Sequence, residues 1–416
     1  MIRLAVGVLA LVVAGCSGST PARNDGAPPD GPSDAVPSRD GAPAHDGGPE
    51  VGSQGGGAAV AFQVDVAHTG NQTASTLTPP LTRVWSVDFG DSADFVSYPL
   101  IVDGRVFVTG STQAGAVSNL RALDLATGQP LWGPINIGGV NEWANAAYDG
   151  GQVYVAIGSG LLTDFDAGTG AMVWSKKLPD QNDFSSPPTA AGGMVYLGGA
   201  GLDGTVYGVD GRTGTVIWSA PTAGGDISSP ALSADAVFVS YACVQAYAFA
   251  RTDGTPLWHH DGGCVGAGGA TPVLWQGSLW ARDTSLNNLV LDATSGAELG
   301  AFSATVIPAF ADQRGFFLTD GTLRALDVTT RTILWTFAGD GALGSAPLVV
   351  NGVVYVGSTS GQLYGLDPTT GTMLWSDTLP WGVSPSGEFG LAPVAGLGAG
   401  GDALVVPAGN HLVCYR

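Results

Sequence analysis

Short apolar runs alternate with clusters of Gly, Asp, Asn and Thr from about residue 61 to the C-terminus, and the pattern recurs about every 40 residues. Its clearest copy is SAPLVVNGVVYVGSTSGQLYGLDPTTGTMLW, residues 345–375. This copy divides into four short strands: one after S-x-P, then VVYVGS, then QLYGLD, and a fourth that ends in Trp375. A period of about 40–45 residues with four strands per unit predicts a β-propeller, in which each unit is one blade.

An Asp, a Gly and a Trp recur at fixed places in these units. The Asp begins a turn whose amides its carboxylate can accept, and the Gly near the end of the turn suits a positive φ. The Trp ends the fourth strand, and we expect it to lie between neighbouring blades. The repeated residues are Asp124, Asp166, Asp210, Asp292, Asp327 and Asp367, together with Trp132, Trp174, Trp218, Trp258, Trp335 and Trp375. The fifth unit departs from the pattern and has Leu299 near the Trp position.

Counting the units predicts how the ring closes. Seven units run from about Phe95 to Trp375, and the tail supplies three further strands, in LAPVAGL, ALVVPA and HLVCYR. Residues 81–89, LTRVWSVDF, resemble a lone fourth strand with its own Trp85. We therefore predict an all-β, eight-bladed propeller of four-stranded antiparallel blades, in which the N-terminal strand closes the last blade and leaves no open sheet edge.

The first 60 residues have a different composition. Residues 1–16 contain Arg3, an apolar run too short to span a bilayer, and then Val-Ala-Gly-Cys, which resembles the lipobox of bacterial lipoproteins. That resemblance implies a signal peptide and acylation of Cys16, with Ser17 favouring passage to the outer membrane. Residues 17–60 are rich in Pro, Gly, Asp and Ala and predict a disordered tether. The propeller is expected to occupy residues 61–416.

The charge balance narrows the partners. Acidic residues outnumber basic ones by 35 to 15, which gives a net charge of −20. This field repels nucleic acid and favours cationic ligands or basic protein surfaces. We expect a monomer that does not bind nucleic acid.

The pattern A-x-D-x-x-T-G-x-x-x-W, with a VYVGS strand before it, resembles the pyrroloquinoline-quinone (PQQ)-like repeat. The segment DVAHTG, residues 65–70, resembles one that often opens such domains. The family includes quinoprotein dehydrogenases and also non-catalytic envelope lipoproteins of the BamB type. Quinoprotein alcohol dehydrogenases use a disulfide between adjacent cysteines, a Ca²⁺ site and a catalytic Asp, whereas this chain has no Cys-Cys pair.

From this comparison we expect a binding scaffold and not an enzyme, with no catalytic residue, no metal and no cofactor. The expected location is the outer membrane, on its periplasmic side or at the cell surface, with a lipid anchor. Two alternatives stay open: a BamB-like lipoprotein of outer-membrane β-barrel assembly, and a PQQ-dependent oxidoreductase that uses Ca²⁺.

Two cysteines of the fourth unit lie in loops that the strand order places on one face. Cys243 follows the second strand and Cys264 follows the fourth, so a disulfide is expected in an oxidising compartment. The alternative is a Zn²⁺ site that combines Cys264 with His259 and His260. Cys414 lies in a predicted strand and is expected to be a buried free thiol.

The loops that lead into the first strand of several units carry an acidic residue next to an apolar one. In a propeller these loops converge around the mouth of the central channel, where they would bind a cationic or amphipathic partner. The residues are Asp94, Phe95, Glu142, Trp143, Asp183, Phe184, Asp226, Glu388 and Phe389, with Trp381 upstream of the last pair. The alternative is that these loops are acidic only because the whole chain is acidic.

Overall fold

The structure of the protein is a computed structural model. It describes residues 57–416 except 113–116, 139–142, 202, 226, 267, 284–287 and 389–391. All of the described residues belong to the compact unit Val51–Arg416. The expected signal peptide, Cys16, nearly all of the tether, and the mouth residues Glu142, Asp226 and Phe389 lie outside the described residues.

The described residues form eight antiparallel sheets of four strand positions each, arranged as the blades of a propeller. From the innermost to the outermost strand, the first four blades are Phe95–Val96 with Leu100–Val102, Arg105–Ser111, Ser118–Asp124, Pro130–Gly138; Ala144–Asp149, Gln152–Ile157, Leu161–Asp166, Met172–Lys177; Thr189–Ala191, Met194–Ala200, Gly204–Asp210, Val216–Thr222; and Ala231–Leu232, Ala236–Tyr241, Gln245–Ala250, Pro256–His260. The last four are Ala270–Trp275, Ser278–Arg282, Asn288–Asp292, Glu298–Phe302; Ala309–Ala311, Arg314–Thr319, Thr322–Asp327, Ile333–Phe337; Leu348–Val350, Val353–Gly357, Gln362–Leu366, Met373–Thr378; and Gly398–Gly400, Ala403–Ala408, His411–Tyr415, Arg83–Asp88.

The predicted fold class and the predicted closure of the ring are confirmed. Arg83–Asp88 pairs antiparallel with His411–Tyr415, and Trp85 lies opposite Cys414. One strand of this blade differs from the prediction, since its innermost strand is only Gly398–Gly400 and not the segment LAPVAGL. Within that segment the Val394 amide donates to the side chain of Asn145, and this hydrogen bond is not part of a sheet ladder. Two 3-10 turns, Gly90–Ser92 and Ala242–Val244, are the helical elements of the described residues.

A cross-strand row of three side chains explains why each repeat folds as a blade. An aromatic residue on the second strand lies opposite a small residue on the third, which lies opposite the Trp of the outermost strand, so the large rings flank the small residue. The rows are Phe107/Ala122/Trp132, Tyr154/Asp164/Trp174, Tyr196/Gly208/Trp218, Phe238/Ala248/Trp258, Phe316/Ala325/Trp335 and Tyr355/Gly365/Trp375. Cys414 is the small residue of the eighth blade and is fully buried. Asp164 is therefore the one charged residue among these small positions.

The Trp side chains join neighbouring blades. In six of these Trp residues the indole Nε1 donates to the carbonyl of the residue that follows the repeat Asp, or its equivalent, in a neighbouring blade. The pairs are Trp85–Leu125, Trp132–Ala167, Trp174–Gly211, Trp218–Arg251, Trp258–Ala293 and Trp335–Pro368, at 2.8–3.2 Å. The repeat Asp holds that turn, because Asp124 Oδ1, for example, accepts the Thr127 amide at 2.8 Å. Hydrogen bonds from Thr127 keep the pKa of this exposed carboxyl below its usual range.

The turn Gly is required by two constraints at once. Gly254 has φ +71°, and a Cβ atom there would stand 2.5 Å from the ring of Trp218 in the neighbouring blade. Gly128, Gly170, Gly214, Gly296 and Gly371 meet the neighbouring Trp in the same way, at 2.6–2.8 Å. Six of the eight blades thus place their turn backbone against the Trp of a neighbouring blade.

The fifth blade has no Trp at this position, and the residue that faces it in the sixth blade differs accordingly. Gly300, and not the adjacent Leu299, lies opposite Val290 in the place where the other blades have a Trp. In the neighbouring sixth blade the turn Gly is replaced by Arg331, which keeps a positive φ of 57°. A Cβ atom on Gly300 would stand 2.8 Å from the Arg331 guanidinium, so the Arg fills the space that a Trp ring occupies elsewhere.

The segment that precedes the first blade fills one end of the central channel. We call residues 57–72 the hub segment, because it hydrogen-bonds the innermost strand or adjoining turn of all eight blades. Its contacts, in blade order, are Ala59–Ile101, Val60–Tyr148, His68–Thr189, Val66–Leu232, Ala67–Leu274, Thr69–Phe310, Gly70–Val349 and Gly57–Gly401, at 2.7–3.5 Å. Asn71–Gln72 adds a short parallel strand to blade seven.

The motif DVAHTG shapes the hub segment. Asp65 accepts the Ala67 and Thr69 amides and the Thr69 hydroxyl, which folds a tight turn. His68 bridges the Phe62 and Pro230 carbonyls. Burial lowers the pKa of His68. The motif that resembles the start of the family's domains therefore lies in the hub segment, which contacts all eight blades.

Candidate functional site at the channel mouth

The up-and-down order of the strands gives the propeller two faces. The hub face carries the turns between first and second strands, the repeat Asp turns and the hub segment. The mouth face carries the loops between second and third strands and the loops that lead into the next blade. Since ligand sites concentrate on loops held by a rigid scaffold, the mouth face is the candidate site.

A long loop crosses this mouth. Residues 379–397, which we call the lead-in loop, connect blade seven to blade eight. Ser386 Oγ accepts the Ala346 amide of blade seven at 2.9 Å, and the Tyr98 amide of blade one donates to Val394 at 2.9 Å. Val394 also reaches Asn145 of blade two at 2.9 Å. The described parts of this loop, residues 379–388 and 392–397, thus contact blades one, two and seven.

The loop contributes one buried charge to the mouth, that of Glu388. Glu388 forms an ion pair with Arg282 of blade five, and each side chain is 4% exposed. The second oxygen of Glu388 accepts the Thr271 amide at 2.8 Å. A buried pair of this kind fixes the loop in one position, because removing either partner leaves the other charge unpaired in the interior. Glu388 is therefore not on the surface of the mouth as the sequence led us to expect.

The sequence did not single out Arg282, Thr271 or Asn145. A signal for Arg282 was present, since it ends an otherwise apolar strand, SLWAR, in a chain with few basic residues. What its guanidinium contacts depends on a loop more than 100 positions away, as the Arg282–Glu388 separation of 106 shows.

The other expected mouth residues are distributed unevenly. Asp94 and Phe95 are exposed at the start of blade one, and Phe95 is 37% exposed. Trp143 is half-buried, and Asp183 is exposed. Phe184 is buried against Gly160, Gly199 and Tyr207 and so presents no surface to a partner. Trp381 is half-buried and stacks on His411, with ring centroids 3.6 Å apart.

Asp94 and Phe95 border a cleft with the lead-in loop. This mouth cleft has a volume of about 360 Å³ and is lined by these two residues together with Val383, Pro385, Pro393 and Ala395, among others. Its walls are mainly apolar, with one carboxylate at the edge. Such a surface suits an apolar side chain that has a basic neighbour, in accordance with the net charge of the protein.

Cys243 and Cys264 are joined by a disulfide on the mouth face, with their Cα atoms 5.7 Å apart. His259 stacks on Tyr247 and bonds Gln245 Oε1 at 2.6 Å. Within the described residues no group of three or more His, Cys, Asp or Glu side chains is arranged to hold a metal ion. Cys414 is buried, which raises the pKa of its thiol to about 12.

The described residues of the mouth do not fit a quinone cofactor held by a calcium ion. Both oxygens of Glu388 already accept protein donors, and Val394 and Phe62 belong to the hydrophobic core along the axis. We therefore derive no reaction step through such a group.

Eight four-stranded blades around a filled axis, six of them carrying a turn Gly against the Trp of a neighbouring blade, define a β-propeller of the PQQ-repeat class. A family model described as "Outer membrane protein assembly factor BamB" matches residues 116–299, 244–382 and 274–415. These matches together span more than half of the chain, so the protein belongs to this family.

The similar proteins include quinone-dependent alcohol dehydrogenases and an outer membrane protein assembly factor. The dehydrogenase subunit of the alcohol dehydrogenase (quinone) of Gluconacetobacter polyoxogenes is 29% identical over 44% of this chain and 26% of its own length. Quinoprotein ethanol dehydrogenase of Pseudomonas putida is 25% identical over 62% of this chain and 42% of its own length. The chain thus spans between about a quarter and two fifths of these relatives.

Among solved structures, BamB from Moraxella catarrhalis superposes with a TM-score of 0.61 at 18% identity, over 81% of this chain and 99% of that one. Quinohemoprotein alcohol dehydrogenase from Comamonas testosteroni gives 0.66 at 15% identity, over 86% and 80%. At these identities the likeness shows the fold alone.

The comparisons overturn the expectation that the protein is not an enzyme. That expectation rested on the missing pair of adjacent cysteines, yet quinone-dependent alcohol dehydrogenases are among both the relatives and the structural neighbours. The absence of one motif is therefore insufficient to place the chain outside the enzymes of this fold.

In the part of the chain that the structure describes, no helix has the length and apolar character needed to cross a membrane.

Proposed function

We propose that the protein is a binding propeller of the bacterial cell envelope, and that its mouth cleft takes an apolar segment of a basic partner protein. The observation that carries this proposal is the exposed Phe95 beside Asp94 at the edge of a cleft of about 360 Å³. Aromatic residues, Phe among them, are enriched at protein interfaces relative to the rest of the surface. The net charge of −20 speeds association with a basic partner.

The family suggests which partner this is. Its model carries the name of an outer membrane protein assembly factor, and we propose that this chain binds a component of that assembly process. The proposal includes the lipid anchor at Cys16 and a location at the outer membrane. The tether, residues 17–60, would then give the propeller reach from the membrane.

Site-specific photo-crosslinking in cells tests the partner. A benzophenone amino acid replaces Phe95 in the full chain, and the matched control places it at Leu257, an exposed residue on the outermost strand of blade four. We expect a crosslinked outer-membrane assembly protein from position 95 only, and Asp94→Lys should weaken it. The same adduct from both positions, or none from position 95, contradicts the proposal.

The anchor is tested separately. Cells that express the full chain are fed a radiolabelled fatty acid, and membranes are separated by density. Label on the wild type in the outer-membrane fraction, lost in Cys16→Ser, supports the proposal. An unlabelled wild type contradicts it.

The named relatives, and not the described residues of the mouth, favour a second candidate, a quinone-dependent oxidoreductase. The full chain is titrated with PQQ in the presence of Ca²⁺ by calorimetry, and alcohols are then screened with a dye acceptor. Micromolar or tighter binding followed by dye reduction supports this candidate. Absence of heat at high protein concentration argues against it.

A further inference from the structure

A second cleft lies on the hub face, between blades two and three. Its volume is about 410 Å³, and its lining includes Asp149, Gln152, Tyr154, Asp164 and Arg212. It is separate from the mouth cleft in sequence and in position. We call it the Asp164 cleft.

Asp164 is the residue that the repeat does not explain. It occupies the position held by Ala122, Gly208, Ala248, Ala325 and Gly365 in other blades, between an aromatic ring and the repeat Trp. Its side chain is buried, at 1% exposure, and its Oδ1 atom has no hydrogen-bond partner. Burying a carboxylate oxygen without a partner is costly, so Asp164 calls for an explanation that the repeat does not supply.

A second acceptor stands beside it without a partner. Gln152 and Tyr154 lie two positions apart on the neighbouring strand and so project from the same face, where Tyr154 is directly opposite Asp164. Gln152 Oε1 is buried and has no hydrogen-bond partner. Two buried acceptors with no donor of their own thus line one cleft.

The groups around Asp164 fit a cation that donates hydrogen bonds. Asp149 also lines the cleft, and its carboxylate accepts the Gly193 amide at 2.7 Å. Asp166 lies two residues along the same strand, and burial together with Asp166 raises the pKa of Asp164 to about 7. Burial also raises the pKa of Tyr154, which keeps its phenol protonated. Arg212 is exposed at the rim.

We propose that the Asp164 cleft binds the primary ammonium group of an organic amine, with Asp164 as its counter-ion and Gln152 Oε1 as a second acceptor. An ammonium group carries three donors and no acceptor, so it matches a site that offers unpartnered oxygens. A quaternary ammonium has the same charge but no N–H group, and therefore does not satisfy these atoms. This site is independent of the function proposed for the mouth.

Calorimetric titration of the full chain at pH 8 tests the site. The probes are cadaverine, tetramethylammonium, and Nα-acetyl-lysine amide, which keeps a free side-chain ammonium group and so mimics a lysine of a protein. We expect the two primary amines to bind and tetramethylammonium not to bind. Tighter binding of cadaverine supports a free amine as the ligand, and tighter binding of the lysine amide supports a lysine of a partner.

Variants separate a binding role from a structural one. Asp164→Asn should weaken cadaverine binding about tenfold or more, because it removes the counter-ion. Asp235→Asn, at an exposed turn of blade four on the same face, removes one charge elsewhere and should leave binding unchanged. Asp164→Ala restores the residue type of the other blades and should raise the melting temperature without ligand while abolishing binding.

Three results overturn the proposal. They are no heat with either primary amine, equal binding of tetramethylammonium, and cadaverine affinity that is the same in Asp164→Asn and the wild type. The melting temperatures of the variants verify that each one is folded.

Discussion

Replacing Gly254 by alanine tests whether the Trp contact between blades stabilises the ring. Two costs are expected, since Gly254 has φ +71° and a Cβ atom there would stand 2.5 Å from Trp218. The left-handed backbone costs an alanine about 1 kcal/mol. Forcing a methyl group into a close-packed contact costs about 2 kcal/mol more. We expect a total loss of about 3 kcal/mol in the free energy of unfolding.

Gly352→Ala is the matched control. Gly352 has φ +73°, and a Cβ atom there would have no heavy atom within 4 Å. This variant isolates the backbone cost, about 1 kcal/mol. Guanidinium chloride unfolding of the full chain, followed by circular dichroism, gives both values. Losses that agree within about 0.5 kcal/mol would refute the reasoning, because the Trp contact would then carry no cost of its own.

Three further predictions concern charge and covalent links. The pKa of Asp164 is raised from 3.8 to about 7, so the stabilisation that its protonated form gives the folded state is complete below pH 3.8 and is lost as the pH rises through 7. Between pH 4 and pH 8 the free energy of unfolding of the wild type should therefore fall by about 2 kcal/mol relative to that of Asp164→Asn, after solvent screening. The same difference between the two proteins at both pH values would contradict this prediction. Opening the disulfide by Cys243→Ser with Cys264→Ser should cost about 3 kcal/mol on the loop-entropy model for a separation of 21 residues, and an unchanged denaturation midpoint contradicts it. Arg282→Met should cost about 4 kcal/mol by leaving Glu388 buried and unpaired, and adding Glu388→Gln should recover most of the loss; a double variant as unstable as the single one would show that the pairing is not the cause.

The architecture of the ring was largely predictable from the sequence. Alternating strands, the Asp and Gly of the turn and the recurring Trp act within one repeat or between adjacent repeats, so a periodic pattern records them. The lone strand around Trp85 indicated the closure for the same reason, because the three C-terminal strands lack a fourth strand and this N-terminal strand supplies it. Asp164 was also visible in principle, because it replaces a small residue in the aligned repeats.

The contents of the channel depended on the tertiary structure. The hub segment touches all eight blades, and Glu388 reaches Arg282 across the mouth, at a separation of 106 residues. Neither contact leaves a periodic trace, because each occurs once and joins positions that only a closed ring brings together. The acidic residues before each blade look alike in sequence, yet Asp94 is exposed and Glu388 is buried in an ion pair. The local sequence determined the blades, and the closed ring decided which side chains face solvent, because burial depends on what the neighbouring blades and loops cover.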